Sequence, residues 1–65
     1  MNIYQENGYL DRKEYLNSIA ESYGVSHLVV HDLANLLGEE EDFDGLLNSI
    51  EDYILMIEDN YGNNL

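Results

Sequence analysis

The run from Glu40 to Glu51, E-E-D-F-D-G-L-L-N-S-I-E, is where residue types and spacing come nearest to a chemistry in this chain. With Glu40 as position 1, carboxylates fall at positions 1, 3 and 5 (Glu40, Asp42, Asp44), Gly45 at 6, Leu47 at 8 and Glu51 at 12. Calcium loops use this spacing to wrap a hard cation in carboxylate oxygens; the glycine makes the sharp turn and the final Glu binds through both oxygens. Three features depart from that pattern. Position 1 is Glu rather than the shorter Asp, Gly38 interrupts the incoming helix, and no second loop is present to pair with the first. The competing expectation is an acidic cap on an ordinary helix, with Gly45 and Leu46 already helical, and the sequence favours it.

His27 and His31 form a second candidate, at i and i+4 on one helical face, as two zinc ligands would stand. Cysteine is absent and the nearest further ligand, Asp32, falls on a neighbouring face. The expectation is therefore two surface histidines and no metal. There is no Ser-His-Asp set, glycine-rich phosphate loop or nucleophile motif, and a chain this short is expected to lack a pocket that buries a substrate. The reading is a protein that is not an enzyme and uses no cofactor or small-molecule substrate.

Charge constrains partners more firmly. Fourteen Asp and Glu face two basic residues, for a formal net charge of −12. The two bases, Arg12 and Lys13, are adjacent, so no extended basic surface can form. Binding to nucleic acid needs Lys and Arg to displace counterions from phosphate, and adhesion to anionic lipid needs a polybasic patch. Both are excluded as expectations, which leaves a partner that is itself positive.

An apolar fraction of 45%, including six Tyr, argues for a folded core rather than an acidic disordered chain. The 65 residues are read as a single domain, 1–65, without disulfides. The apolar runs, such as Ile54 to Ile57, are far too short to span a bilayer. The first ten residues lack the basic-then-apolar order of an export signal. Localisation is expected to be cytoplasmic.

Three helices are predicted, near residues 11–23, 27–37 and 44–61, after an N-terminal arm over 1–10. Asp11 is the expected N-cap of the first, with Glu14 as the reciprocal half of a capping box and Leu10 stapled onto Tyr15. Tyr15, Leu16, Ile19, Ala20 and Tyr23 make its apolar stripe, and Gly24 its left-handed stop. Ser26 caps the second, whose inner face is read as Val29, Val30, Leu33, Leu36 and Leu37, ending at Gly38. A short connector, Glu39 to Asp44, leads to the third, capped by Asp42 or Asp44. Phe43, Leu46, Leu47, Ile50, Ile54, Ile57 and Tyr61 give it the clearest amphipathic pattern in the chain. Ile3 and Tyr4 are expected to tuck in from an extended arm that ends in an Asn7-Gly8 turn. The fold class is all-α: a compact three-helix bundle with the third helix packed across the first two.

Between Tyr15 and Leu37 the sequence YLNSIAESYGVSHLVVHDLANLL resembles a helix-turn-helix. Ala20 is small where two helices cross, Gly24 lies in the turn, Val25 fills its buried position, and Val30 with Leu33 anchor the second helix. Any tight helical corner makes the same steric demands. Its outward residues, Ser26, His27, His31, Asp32 and Asn35, include no strong phosphate or guanine reader. The likeness is one of shape.

The segments NGYLDRKEYLNSIAESYGV and EEDFDGLLNSIEDY give the chain a wider likeness. It resembles short acidic proteins of prophages and conjugative elements of Gram-positive bacteria. That resemblance implies an origin in a mobile element and carries no site residues.

On the outer face of the third helix, Asn48, Glu51, Asp52, Leu55, Glu58 and Asp59 strand one leucine among acids, flanked by Tyr53 and Met56. This is the pattern of a docking surface, an aliphatic anchor with an acidic rim. The expected function is a protein-interaction module whose specific form is a DNA mimic. It would occupy the basic cleft of a nucleic-acid-binding enzyme or regulator, such as a restriction or CRISPR enzyme. Glu39, Glu40, Glu41, Asp42, Asp44, Glu51, Asp52, Glu58 and Asp59 would supply the charge and Leu55 the anchor. The alternatives are the calcium module of Glu40, Asp42, Asp44 and Glu51, and an accessory helical subunit whose charge has no specific role.

Overall fold

The computed structural model describes residues 2–63, with side chains described through residue 58. The fold is all-α, and no strand occurs among the described residues. Among the described residues four helices follow in order: α1 (Ile3–Glu6), α2 (Arg12–Tyr23), α3 (His27–Leu37) and α4 (Gly45–Asn63), with a 3₁₀ turn, Glu39–Glu41, before α4. The chain divides into two units, Met1–Asp32 and Leu33–Leu65, the boundary falling inside α3.

In the first unit, α2 begins as its sequence dictates. The Asp11 carboxylate accepts from the Glu14 amide at 2.9 Å. Glu14 does not complete the expected reciprocal bond to the cap residue; its carboxylate accepts from the Leu10 amide at 3.3 Å, one residue earlier. Tyr15, Leu16, Ile19 and Ala20 are buried along one stripe, as expected, and Tyr23 is half-buried. Gly24 closes the helix at φ +67, where a side chain would strain the backbone. The Val25 amide donates to the Ala20 carbonyl at 3.0 Å, the 6→1 bond of a Schellman stop. Ser26 then starts α3: its hydroxyl accepts from the Leu28 amide at 3.2 Å and its carbonyl from the Val30 amide at 3.2 Å. Val30 is fully buried on the inner side of this corner.

The N-terminal arm differs from its expected form. Ile3 to Glu6 is a turn of helix rather than extended chain, because the Asn2 side chain accepts from the Gln5 amide at 3.0 Å and caps it. The Asn7-Gly8 turn does follow, with Gly8 at φ +91. It returns the chain so that the Tyr9 amide donates to the Tyr4 carbonyl at 2.9 Å. Tyr4 is buried and Ile3 is 49% exposed. The ring of Tyr15 meets Tyr4 at 5.8 Å and the edge of Tyr9 at 5.0 Å between centroids. Tyr9 thus takes the place expected of Leu10, which is 73% exposed. Aromatic edge-to-face pairs add to simple area burial, so a ring outcompetes the aliphatic staple.

In the second unit, α3 ends at Gly38, at φ +93, whose amide donates to the Ala34 carbonyl at 2.8 Å. Ala34, Leu46 and Ile50 are fully buried, and Phe43, Leu47, Ile54 and Ile57 half-buried. Tyr61 lies outside the described side chains. The inner face of α3 is corrected here. Its buried centre is Val30 and Ala34, one turn apart, and Leu36 is 81% exposed. At 100° per residue, Leu36 stands 200° round from Ala34, on the opposite side of the helix. The connector is also more ordered than expected, as the 3₁₀ turn carries Glu41 and Asp42 amides back to the carbonyls of Gly38 and Glu39 at 3.1 Å each. Asp44, just before α4, accepts the Asn48 amide on its carbonyl at 3.4 Å.

Two glycines in this unit make opposite predictions. A Cβ on helical Gly45 would meet the carboxylate oxygen of Glu41, the far end of a flexible, half-buried side chain that can swing aside. Gly45→Ala is expected to stabilise, by up to about 0.5–1 kcal/mol from reduced chain entropy. Gly38→Ala is expected to destabilise by about 1 kcal/mol or more, since alanine strains at positive φ. Thermal unfolding of the two variants checks both signs.

Candidate functional site

On α4, three acids and two apolar side chains share exposure. Glu51, Asp52 and Glu58 are exposed, and Leu55 and Met56 are 57% and 58% exposed. Asn48 is exposed and Tyr53 half-buried, whereas the side chain of Asp59 lies outside the described residues. The pattern follows from helix period: Leu46, Ile50 and Ile54 take the inner face, and Glu51, Asp52, Leu55 and Glu58 project from what remains. Two large apolar groups ringed by carboxylates present a dehydratable spot inside a field that attracts cations.

The acids of the connector divide. Glu39, Glu40 and Asp44 are exposed and available to a partner, and Glu41 is half-buried against the first turn of α4. Asp42 must be removed from the expected docking surface, because it is fully buried. Its side chain has its own interactions within the protein, and no buried side-chain nitrogen or oxygen among the described residues is left unsatisfied. Burial of a carboxylate is tolerated when its oxygens are bonded. In the sequence, Asp42 looked like one more member of an acidic run, and only its place one residue before Phe43, at the turn into α4, distinguished it.

The same geometry bears on the calcium pattern. Gly45, at the position where a calcium loop turns sharply, is the first residue of α4 and lacks the positive φ seen at Gly8, Gly24 and Gly38. Glu51 sits on the helix beyond it, Asp42 is buried, and Glu40 belongs to the 3₁₀ turn. The spacing thus arises from a turn followed directly by helix. Among the described residues, no three of His, Cys, Asp and Glu are grouped to hold a metal ion.

In the first unit, His27 and His31 do share a face, and both reach back to α2. His27 Nδ1 and His31 Nε2 each lie 3.0 Å from one atom, the Oδ1 of Asn17. His27 is exposed and His31 half-buried. Asn17 carried no signal in the sequence reading, although it falls one turn before Ala20 and Glu21 on the side of α2 facing the corner. Also in this unit is an open groove of about 670 Å³, lined in part by Tyr9, Leu10, Lys13, Glu14, Asn17 and Ser18. It was not foreseen, because its walls come from the Gly8 turn laid along α2. Asp11 and Glu21 also line the groove.

No helix among the described residues is long and apolar enough to cross a membrane. No protein-family model matches the chain, and comparison with curated proteins and with solved structures found no match.

Proposed function

We propose that this protein is a non-enzymatic, acidic interaction module that docks on a basic protein surface. The observation that carries the reading is the exposed pair Leu55 and Met56, set among exposed Glu51, Asp52 and Glu58 on one helix. Solubility alone accounts for the acids but leaves two half-exposed apolar side chains without a use. A partner that buries them while matching the acids accounts for both. The finer reading is DNA mimicry. Duplex DNA presents one negative charge per about 1.7 Å of axis, and a chain with net charge −12 and an ordered acidic helix offers a comparable field to a basic cleft. A mobile-element origin fits a target among the nucleic-acid-binding enzymes or regulators of a cytoplasmic host.

Capture of partners from a Gram-positive lysate, with elution by a salt gradient, tests this. Nucleic-acid-binding proteins released by salt and displaced by added duplex support mimicry. Partners released by salt but not displaced by duplex support the docking module without mimicry. For a captured partner, Leu55→Ala with Met56→Ala should weaken binding by about 1–2 kcal/mol, with the salt slope unchanged. Glu39→Gln with Glu40→Gln should do the reverse, flattening the salt slope, while stabilising the free protein by relieving self-repulsion. Glu41 is left intact in that variant because it lies over the start of α4. A double Gln variant that binds equally well would remove the connector from the docking surface.

A further inference from the structure

The N-terminal arm carries a residue pair with a chemistry of its own. Asn7-Gly8 is the one Asn-Gly pair in the chain. Both residues are exposed, and a Cβ built on Gly8 would meet nothing within 4 Å. Asparagine is thermolabile, because the backbone nitrogen of the next residue can attack its side-chain carbonyl carbon. A side chain on that next residue obstructs the attack, and glycine has none. We propose that Asn7 is a site of spontaneous deamidation in the folded protein, gated by opening of α1. The Gly8 nitrogen bonds to Asn7 Cγ, the Cγ–Nδ2 bond breaks, and Nδ2 leaves as ammonia with the Gly8 amide proton. Water then opens the cyclic imide at either carbonyl, leaving aspartate or isoaspartate at position 7.

The folded arm restrains this reaction, and its small size permits it. Asn7 Nδ2 donates to the Ile3 carbonyl at 2.8 Å, and the Gly8 amide donates to the Gln5 carbonyl at 3.1 Å. Both bonds must break before the ring closes. The Asn7 backbone must also turn from ψ 11, which holds the Gly8 nitrogen away from Cγ. Both accepting carbonyls belong to α1, a helix of 4 residues in which Tyr4 alone is buried. Such a segment opens at far lower cost than the whole fold. Asn17, Asn35 and Asn48 differ in two ways. Each lies inside a longer helix, α2, α3 or α4, and each precedes Ser18, Leu36 or Ser49 rather than glycine. Isoaspartate routes the main chain through the side-chain carbon, lengthening the turn that sets the Tyr9 ring 5.0 Å from that of Tyr15. It also adds a carboxylate to a chain already at −12.

The full-length protein is incubated at physiological temperature and mildly alkaline pH, and conversion is followed by peptide-mapping mass spectrometry. Asn7 is expected to convert ahead of Asn17, Asn35 and Asn48, with isoaspartate among the products. Protein carrying isoaspartate should melt at a lower Tm than Asn7→Asp, which has the new charge on a normal backbone. Asn2→Ala tests the gate. It removes the side chain that accepts the Gln5 amide at 3.0 Å and so loosens α1. Loss of that cap should speed conversion at Asn7 by at least about twofold, with the helical circular dichroism of the longer helices retained. The proposal is overturned if Asn7 survives as long as the asparagines inside the longer helices. It is equally overturned if Asn2→Ala converts at the parent's rate, which would leave α1 without a part in the reaction.

Discussion

Replacing Ile50 by alanine should lower stability by about 2–5 kcal/mol, the range for deleting a large aliphatic side chain from a packed interior. Ile50 is fully buried, and so is Leu46 one turn before it on the same helix. Alanine is itself a better helix former than isoleucine, so the loss isolates the cavity and the missing apolar transfer rather than damage to α4. A chain of this length holds only a few to about 10 kcal/mol in all, and the variant should sit close to its unfolding threshold. Urea unfolding followed by circular dichroism reads the effect as a lowered midpoint at unchanged slope. Leu55→Ala, on the exposed face of the same helix, provides the comparison and should change stability by no more than about 0.5 kcal/mol. Equal losses at the two positions would mean that the faces of α4 are assigned wrongly.

The second large effect is expected at a charged residue. Asp42 is fully buried and its side chain engaged, in a region where no described buried side-chain polar atom is unsatisfied. Asp42→Ala strands whatever the carboxylate bonds, a penalty of about 1–3 kcal/mol for a neutral partner and more for a charged one. Glu40→Ala, two residues earlier and exposed, should stay within about 0.5 kcal/mol of the parent. Asp42→Asn preserves shape and part of the hydrogen bonding, so its cost should fall between the two. Should Asp42→Ala prove as mild as Glu40→Ala, the buried carboxylate would be dispensable and the acids of the connector would be one equivalent set.

Both predictions draw on different parts of the sequence's legibility. The three longer helices, though not α1, could be read in advance because their ends are local chemistry. Asp11 bonding the Glu14 amide, Gly24 at positive φ and Ser26 accepting the Leu28 amide all involve residues within three positions of each other. The inner faces of α2 and α4 could be read because their buried residues are large and periodic. The inner face of α3 could not, since its centre is Ala34, a small residue that pattern reading passes over in favour of nearby leucines. Exposure of Leu36 is the consequence. Among candidate site residues, those of α4 came from the same periodicity, whereas Asp42 and Asn17 gave no periodic signal at all.

By itself, then, the sequence determined the helical class, the ends of α2 and α3 and the net negative charge, because these follow from short-range hydrogen bonding, from residue spacing and from a charge count that folding cannot alter. Tertiary structure decided which acid is buried, which aromatic ring packs on Tyr15, and that one amide oxygen gathers two imidazoles. Each of those depends on side chains brought together around a turn, where competition between near-equal neighbours is settled by geometry: Tyr9 over Leu10, Asp42 over Glu40 and Glu41, Ala34 over Leu36. A one-dimensional pattern ranks such neighbours by type, and packing ranks them by position.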